Sequence, residues 1–388
     1  MILVNMIAPT PPVKTTSMGK PPEMHSSYNC LTSFWIDKPA IFAPMFYPEL
    51  MAYKIKVDAW PLHSIWRDSS PLPAVPTSDT PQKLKAARKC AADETVGILR
   101  RGKYPNSRGE EVDISRDIQQ AVSSSQCYSP EHKFEDVKVT RRYATMDVEV
   151  INECTLRACR DMYMKYGEEV GCLTFASGKN PGGAFLGGSD GQEESIARSS
   201  AYYHCVIKDP SLYEFNRLNK DPFQSDHLIV VPHMPVFRND CAPYSLCDPW
   251  YLTSISAPAV NASLVRERNI VDAEQRIGQR MRVRVRRILL AAYQHNVRNL
   301  VLGEYGCGSL GNDPNVIAAF FREELMLPNS PFNGAFEHVI FAIHDASNTA
   351  AGGGRLRAKC MPAFSEEICA PGRKLLCTPG EVPRYIAC

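Results

Sequence analysis

Short, continuous apolar runs recur along this chain, separated by polar stretches in which apolar residues return every third or fourth position. The runs Cys172–Ala176, Leu228–Val231, Tyr251–Ile255, Leu300–Leu302 and His338–Ile343 predict strands, and Val148–Ile151 a further short one. Several are β-branched and unbroken rather than alternating, as expected of strands whose sheet is covered on both faces. Helices are expected between them. Leu84, Ala87, Cys90 and Ala91 fall at helical spacing from Gln82 onward, Asp113–Val122 predicts a second helix, and Cys154–Tyr166 a third with Leu156, Cys159 and Tyr163 inward. Arg100–Pro105 reads as a turn. Strands alternating with helices, without an internal repeat, predict an α/β fold.

Before Gln82 the pattern is lost. Pro71, Pro73, Pro76 and Pro81 oppose helix, while Ser69, Ser70, Ser78 and Thr80 favour turns. This arm nevertheless carries Phe34, Trp35, Phe42, Phe46, Tyr47, Trp60 and Trp66, more aromatic residues than a fully disordered segment usually holds. The 388 residues suffice for one large domain with appendages, or for two domains. A formal net charge of +2 argues against a dedicated nucleic-acid binder. No apolar run approaches membrane-spanning length, and Met1–Pro9 is too short and uncharged for a secretory signal. The 14 cysteines include no CxxC pair, so neither a zinc site nor a disulfide framework is indicated, and a cytoplasmic or nuclear setting is expected. No metal or cofactor is called for.

The chemistry concentrates in Lys179–Glu194, KNPGGAFLGGSDGQEE. It is too glycine-rich for regular structure and lies between the Cys172–Ala176 strand and a helix starting near Ser195. Strand, glycine loop and helix together direct backbone N–H groups and a helix N-terminus at an anion. Two adjacent carboxylates would repel a phosphate, so the expected arrangement has the loop holding a sugar-like group while a carboxylate faces the reacting bond. A second such loop, Gly303–Pro314, follows the Leu300–Leu302 strand, with Asp313 as N-cap and Pro314 as the first helical residue. With little charge of its own, it suits a diphosphate held by N–H groups. Taken singly, the Glu pair is ordinary compensation of a helix dipole, and the loops are tight turns or a nucleotide site of another family.

Several segments together resemble the bacterial-type poly(ADP-ribose) glycohydrolases, which are macrodomains. Asn180–Tyr203 is similar to that family's GGG stretch followed by QEE; GEYGCGSLGNDP at 303–314 looks like its diphosphate loop. Met234–Asp240, Ala257–Ala262 and Phe336–Asp345 also resemble family segments in order. The resemblance implies a three-layer α/β/α macrodomain with a mixed central sheet. The resemblance spans roughly 82–345, so the chain is expected to divide into a poorly ordered Pro/Ser-rich arm at 1–81, a helical extension packed on the core at 82–150, a catalytic core at 151–345, and an unassigned tail at 346–388. It implies hydrolysis of ribose–ribose O-glycosidic bonds with release of ADP-ribose, which needs a carboxylic acid to protonate the leaving oxygen. By the resemblance that acid is Glu194, in a pocket expected to raise its pKa, with Glu193 positioning ribose hydroxyls and Gln192 supporting the loop. Asn180 and Pro181 would lie at the terminal ribose, and Gly182, Gly183 and Ala184 near the distal ribose and diphosphate. Gly306, Cys307, Gly308, Ser309, Leu310, Gly311 and Asn312 would wrap the diphosphate, with Glu153 and Thr155 toward the adenine. The implied partners are poly(ADP-ribose) or ADP-ribosylated proteins, met by a monomer without direct contact to nucleic acid or membrane.

Two positions depart from the family. Ala184 replaces the third glycine, which would cost about 1 kcal/mol if that residue needs positive φ. Leu310 stands where many members carry an aromatic residue, removing a stacking surface worth ~1 kcal/mol. They leave open a catalytically weak ADP-ribose reader, or a hydrolase of single ADP-ribose units on proteins. The arginine-rich run Arg276–Arg287 is expected to form an amphipathic helix with a solvated basic face, with Ile277, Met281, Val285, Ile288 and Leu289 inward. His204, His227, His233 and His344 are expected to be structural.

Overall fold

The computed structural model describes residues 80–134, 137–344 and 359–368. The expected arm, up to residue 79, lies outside them, as do Gly352–Gly354 and Cys369, Cys377 and Cys388 of the tail. In chain order the strands are β1 Lys103–Pro105, β2 Glu111–Asp113, β3 Gln126–Tyr128, β4 Asp147–Ile151, β5 Val170–Ala176, β6 Leu228–Arg238, β7 Leu246–Pro258, β8 Asn299–Leu302 and β9 His338–Ala342. The helices are α1 Pro81–Arg101, α2 Ser115–Ser124, α3 Thr155–Tyr166, α4 Gln192–Ser199, α5 Tyr202–Val206, α6 Ser211–Asn219, α7 Ala262–Glu267, α8 Ala273–Gln294, α9 Pro314–Leu325 and α10 Cys360–Ile368. No described helix is long and apolar enough to cross a membrane.

Seven strands form one mixed sheet in the order β3-β6-β7-β5-β8-β9-β4. Neighbours from β4 to β7 run parallel, whereas β6 pairs antiparallel with both β7 and β3. Alternate residues of each strand enter different cores. Leu228 and Val230 of β6, and Leu300 and Leu302 of β8, pack with Met281, Val285 and Ile288 of α8 and Ile317 and Phe321 of α9. Their neighbours Ile229, Val231 and Val301 pack with Val96 of α1, Leu156 and Cys159 of α3, and Ile196 of α4. Both faces are therefore buried, which is why the strands read as unbroken apolar runs.

The elements begin and end for local reasons. Pro81, expected to oppose helix as part of the arm, instead opens α1, where its missing N–H costs nothing, and Gly102 at φ 71° closes that helix. Asp313 caps α9 by accepting from the Asn315 N–H, and Pro314 follows. Two further expectations are corrected here. The stretch Arg100–Pro105 is not a turn but the end of α1 and the strand β1, which pairs with β2. The helix expected from Ser195 starts at Gln192, so Gln192, Glu193 and Glu194 form its first turn. Strands β6 and β7 also extend well beyond their predicted cores. Pro232 and Pro235 hid the continuation of β6, which passes through an irregularity in pairing between Val231 and Met234 where His233 has φ 50°.

The arginine-rich helix α8 buries its apolar stripe as expected, but its basic face is not wholly solvated. Arg284 is 1% exposed and Arg287 is also buried. Arg284 donates to Asp226 Oδ1 at 2.8 Å and to the carbonyls of Pro258, Phe223 and Gln224 at 3.0, 2.5 and 2.7 Å. Arg287 similarly reaches the carbonyls of Ser129, His132 and Asp226. A fixed fork of five donors lets each guanidinium tie carbonyls that no strand or helix would satisfy.

Removing that fork should be severe. Arg284→Met should destabilise the fold by about 3–5 kcal/mol, measured by urea unfolding, because Asp226 loses its nearest cation and three carbonyls lose donors. A separate pH dependence comes from α5. Burial, together with the positive charge of Arg100, holds the His204 imidazole down at about 4. The unfolded imidazole takes its proton near 6.5, the folded one near 4, so stability present above pH 6.5 is lost as pH falls between those values. The loss should reach on the order of 3 kcal/mol by pH 4, and His204→Asn should remove that part of the profile.

Candidate active site

The carboxyl ends of the parallel strands open on one cleft of about 420 Å³. Its walls come from four connections. Phe175 and Ala176 end β5 and Ser177–Asn180 follow it, Asn261 follows β7, and Glu304, Gly306 and Gly308–Leu310 follow β8, while Gln224 precedes β6. The first turn of α4, with Gly191, Gln192, Glu193 and Glu194, closes the remaining side.

Gln192 and Glu193 fasten this turn to β5. Gln192 Oε1 accepts from the Phe175 N–H at 2.8 Å, and its Nε2 donates to the Leu173 carbonyl at 2.7 Å and to Thr155 Oγ1 at 3.3 Å. The side chain thus acts as an extra strand partner. Glu193 is 3% exposed. Its Oε2 accepts from the Ser177 N–H at 2.7 Å, and its Oε1 from the Gly182 N–H and the Tyr202 hydroxyl, each at 3.2 Å. Burial pushes this carboxyl well above its usual range, and the charge of Glu194 adds to that shift, while these three donors oppose it. When ionised it has about four lone-pair sites, so one remains for a substrate hydroxyl; when protonated its O–H can donate there instead.

Glu194 is half-buried and held differently. One oxygen accepts from the Ala184 N–H at 3.0 Å. A Cβ placed on Gly183 would lie 2.3 Å from Glu194 Oε1, and one on Gly191 would lie 2.1 Å from Oε2. The two glycines therefore leave the space that the carboxylate fills, and Gly183 also needs its φ of 62°. Ala184 has φ −110°, an ordinary value for alanine, so the backbone cost conditional on positive φ does not arise. From outside, α1 grips the same loop: Arg88 donates to the Gly188 carbonyl at 2.9 Å and pairs with Asp190 at 3.2 Å.

The second loop is a ring of backbone donors. Among the described residues, the N–H groups of Gly306, Gly308, Ser309 and Leu310 donate to no protein acceptor. Asn312 holds the loop closed, its Nδ2 donating to the carbonyls of Val260 and Gly306 at 2.8 and 2.9 Å. Gly306 at φ 75° and Gly311 at φ 72° make the bends, against Ala259 and Ser263 respectively. Burial pushes the Cys307 thiol well above its usual value beside Cys360, so it stays protonated. The array can hold an anion through neutral donors while a carboxylate stands in the same cleft.

Of the residues expected here, Asn180, Gln192, Glu193, Glu194, Gly306, Gly308, Ser309 and Leu310 line the cleft. Gly182, Gly183 and Ala184 stand behind the two glutamates, supplying donors or space, while Pro181 does not line the wall. Cys307, Gly311 and Asn312 shape the second loop from within. Thr155 is buried beneath Gln192. Glu153 is not brought to the cleft: it accepts from the Cys154 N–H at 2.9 Å and pairs with Arg157 at 3.4 Å. Sequence reasoning missed Phe175, Ser177, Lys179, Gln224, Asn261 and Glu304 as cleft residues. Asn261 and Glu304 lie inside segments that carried the family resemblance and were within reach; Gln224 belongs to a connection without any motif.

Comparison with known proteins shows the family. Residues 92–239 match the family described as microbial-type PARG, catalytic domain. The crystal structure of poly(ADP-ribose) glycohydrolase from Thermomonospora curvata is 39% identical, with a TM-score of 0.65, over 73% of this chain and 99% of that one. The same bacterium's enzyme bound to the inhibitor ADP-HPD matches with 39% identity and a TM-score of 0.64, over 72% of this chain and 99% of that one. The Deinococcus radiodurans enzyme in complex with ADP-ribose is 34% identical, with a TM-score of 0.56, over 65% of this chain and 96% of that one. No curated protein sequence matches the chain. At this identity, across almost the whole of the Thermomonospora enzyme, the seven-stranded fold and its cleft place the chain in the microbial-type poly(ADP-ribose) glycohydrolase family.

Proposed function

We propose that Glu194 is the general acid and base with which this poly(ADP-ribose) glycohydrolase cleaves ribose–ribose O-glycosidic bonds. The observation that carries this reading is the seat of the Glu194 carboxylate. It lies in the cleft between two glycines, one oxygen held by the Ala184 N–H, within the same cavity as the undonated N–H groups of Gly306 and Gly308–Leu310.

The reaction follows from those parts. The ADP portion is held with its diphosphate against the N–H groups of Gly306 and Gly308–Leu310. Glu194, protonated, gives its proton to the oxygen of the leaving ribose as the anomeric C–O bond breaks, and positive charge develops on the sugar. The carboxylate so formed accepts a proton from the water that attacks the anomeric carbon, which regenerates the acid and releases ADP-ribose. Glu193, with one acceptor site unspent, suits a ribose hydroxyl better than proton transfer. Gln192 acts through β5 and the loop rather than on substrate.

Three substitutions test the assignment. Glu194→Gln should reduce ADP-ribose release from labelled poly(ADP-ribose) by about 10²–10⁴-fold while ADP-ribose binding, measured by calorimetry, persists. Loss of binding with unchanged turnover per bound complex would contradict the role. Gly183→Ala should lose about 10²-fold in turnover and about 1 kcal/mol of stability, since its methyl must displace the Glu194 carboxylate from a left-handed backbone position. Ala184→Gly, which restores the family's residue where φ is already unstrained, should leave the rate within about twofold.

A further inference from the structure

Gln224 stands in the cleft wall with three features that packing of the fold leaves unexplained. Its backbone is left-handed, at φ 56°, which a non-glycine side chain adopts rarely and which tends to occur at functional sites. Its Oε1 is buried without a hydrogen-bond partner. It presses so closely on the turn after β5 that a Cβ on Gly178 would lie 1.7 Å from that oxygen. The opposite end of the amide is the informative one. Nε2 donates to nothing among the described residues, and the side chain borders the cleft.

The backbone around it is held firmly. Arg284, 1% exposed, donates to the carbonyls of Phe223 and Gln224 and to Asp226, fixing the segment on both sides. The Asn261 N–H donates to the Pro222 carbonyl at 2.9 Å, joining this segment to the connection after β7. An amide donor is thus held beside the Gly178 turn, on a rigid support, in the wall of the cleft that Gly306 and Gly308–Leu310 also line. Such an amide donates to a sugar hydroxyl or a phosphate oxygen.

We propose that Gln224 is a substrate-binding residue whose Nε2 donates to an oxygen of the bound ADP-ribose unit, either a hydroxyl of the terminal ribose or a phosphate oxygen. The assignment rests on the ADP-ribose reading of the cleft and adds to it a contact outside the two glycine loops. Its chemical consequence is selectivity for a ligand carrying an acceptor at that point.

Calorimetric binding of ADP-ribose and of ADP to the full chain tests this, using wild type, Gln224→Ala and Gln224→Met. The methionine variant keeps side-chain length while removing both donors, and thermal unfolding of each variant checks that the fold persists. Both variants should bind ADP-ribose about three- to tenfold more weakly. A loss shared by ADP assigns the acceptor to a phosphate, whereas a loss confined to ADP-ribose assigns it to the terminal ribose. Unchanged affinity for both ligands in a folded variant overturns the proposal. If wild type binds ADP-ribose and Glu194→Gln still abolishes turnover, that result removes the Gln224 contact alone. If wild type does not bind ADP-ribose, the reading of the cleft falls with it.

Discussion

Two side chains in the first turn of α4 reach back across the glycine loop, one to the strand that precedes it and one to the loop's own backbone. Gln192 bonds the backbone of Phe175 and Leu173, and Glu193 bonds Ser177 and Gly182. Five helix-side bonds, counting that from Glu194 to Ala184, close a loop whose glycines would otherwise leave it many conformations. Loops lose entropy when ordered. Here that loss is offset by bonds to charged or amide side chains in a largely buried setting, where hydrogen bonds are stronger than in water. The same clamp sets where Glu194 stands, because the three residues share one helical turn.

The cleft separates two electrostatic tasks that would conflict if mixed. One wall presents the carboxylates of Glu193 and Glu194; the β8 loop, which also carries Glu304, presents neutral N–H groups at Gly306 and Gly308–Leu310 whose dipoles favour an anion. Keeping cations out of the anion loop avoids pairing with Glu194 and Glu193. The arginines of α8 serve elsewhere. Arg284 and Arg287 lie beneath the 223–226 and 129–132 segments and satisfy carbonyls there, so two of this helix's positive charges serve the scaffold. Preorganised dipoles of this kind need little reorganisation when charge develops during reaction.

Rigidity is also distributed unevenly around the cleft. The β5 turn is tied by Glu193, and the β8 loop by Asn312, each through a side chain that bonds two separate backbone groups. On the outer side α1 contributes Arg88, so a helix far away in sequence stiffens the glycine loop. Gly188 permits that approach, since a Cβ there would lie 2.2 Å from the Lys85 carbonyl oxygen.

The alternation of apolar runs and helical stripes was enough to establish an α/β fold with both sheet faces covered, because burial on two faces leaves its mark residue by residue at 172–176, 228–231 and 300–302. Capping chemistry at Asp313–Pro314 was equally local, and so was the glycine loop before QEE. Other features depended on partners distant in the chain. That Gln192 serves β5, that Arg284 turns inward, that Ala184 keeps an ordinary φ and that Gln224 joins the cleft are consequences of packing between remote segments. Periodicity reports how each residue sits in its own element. Which backbone group a polar side chain meets is decided by the sheet order and the path of the connections, which a single element's pattern does not encode.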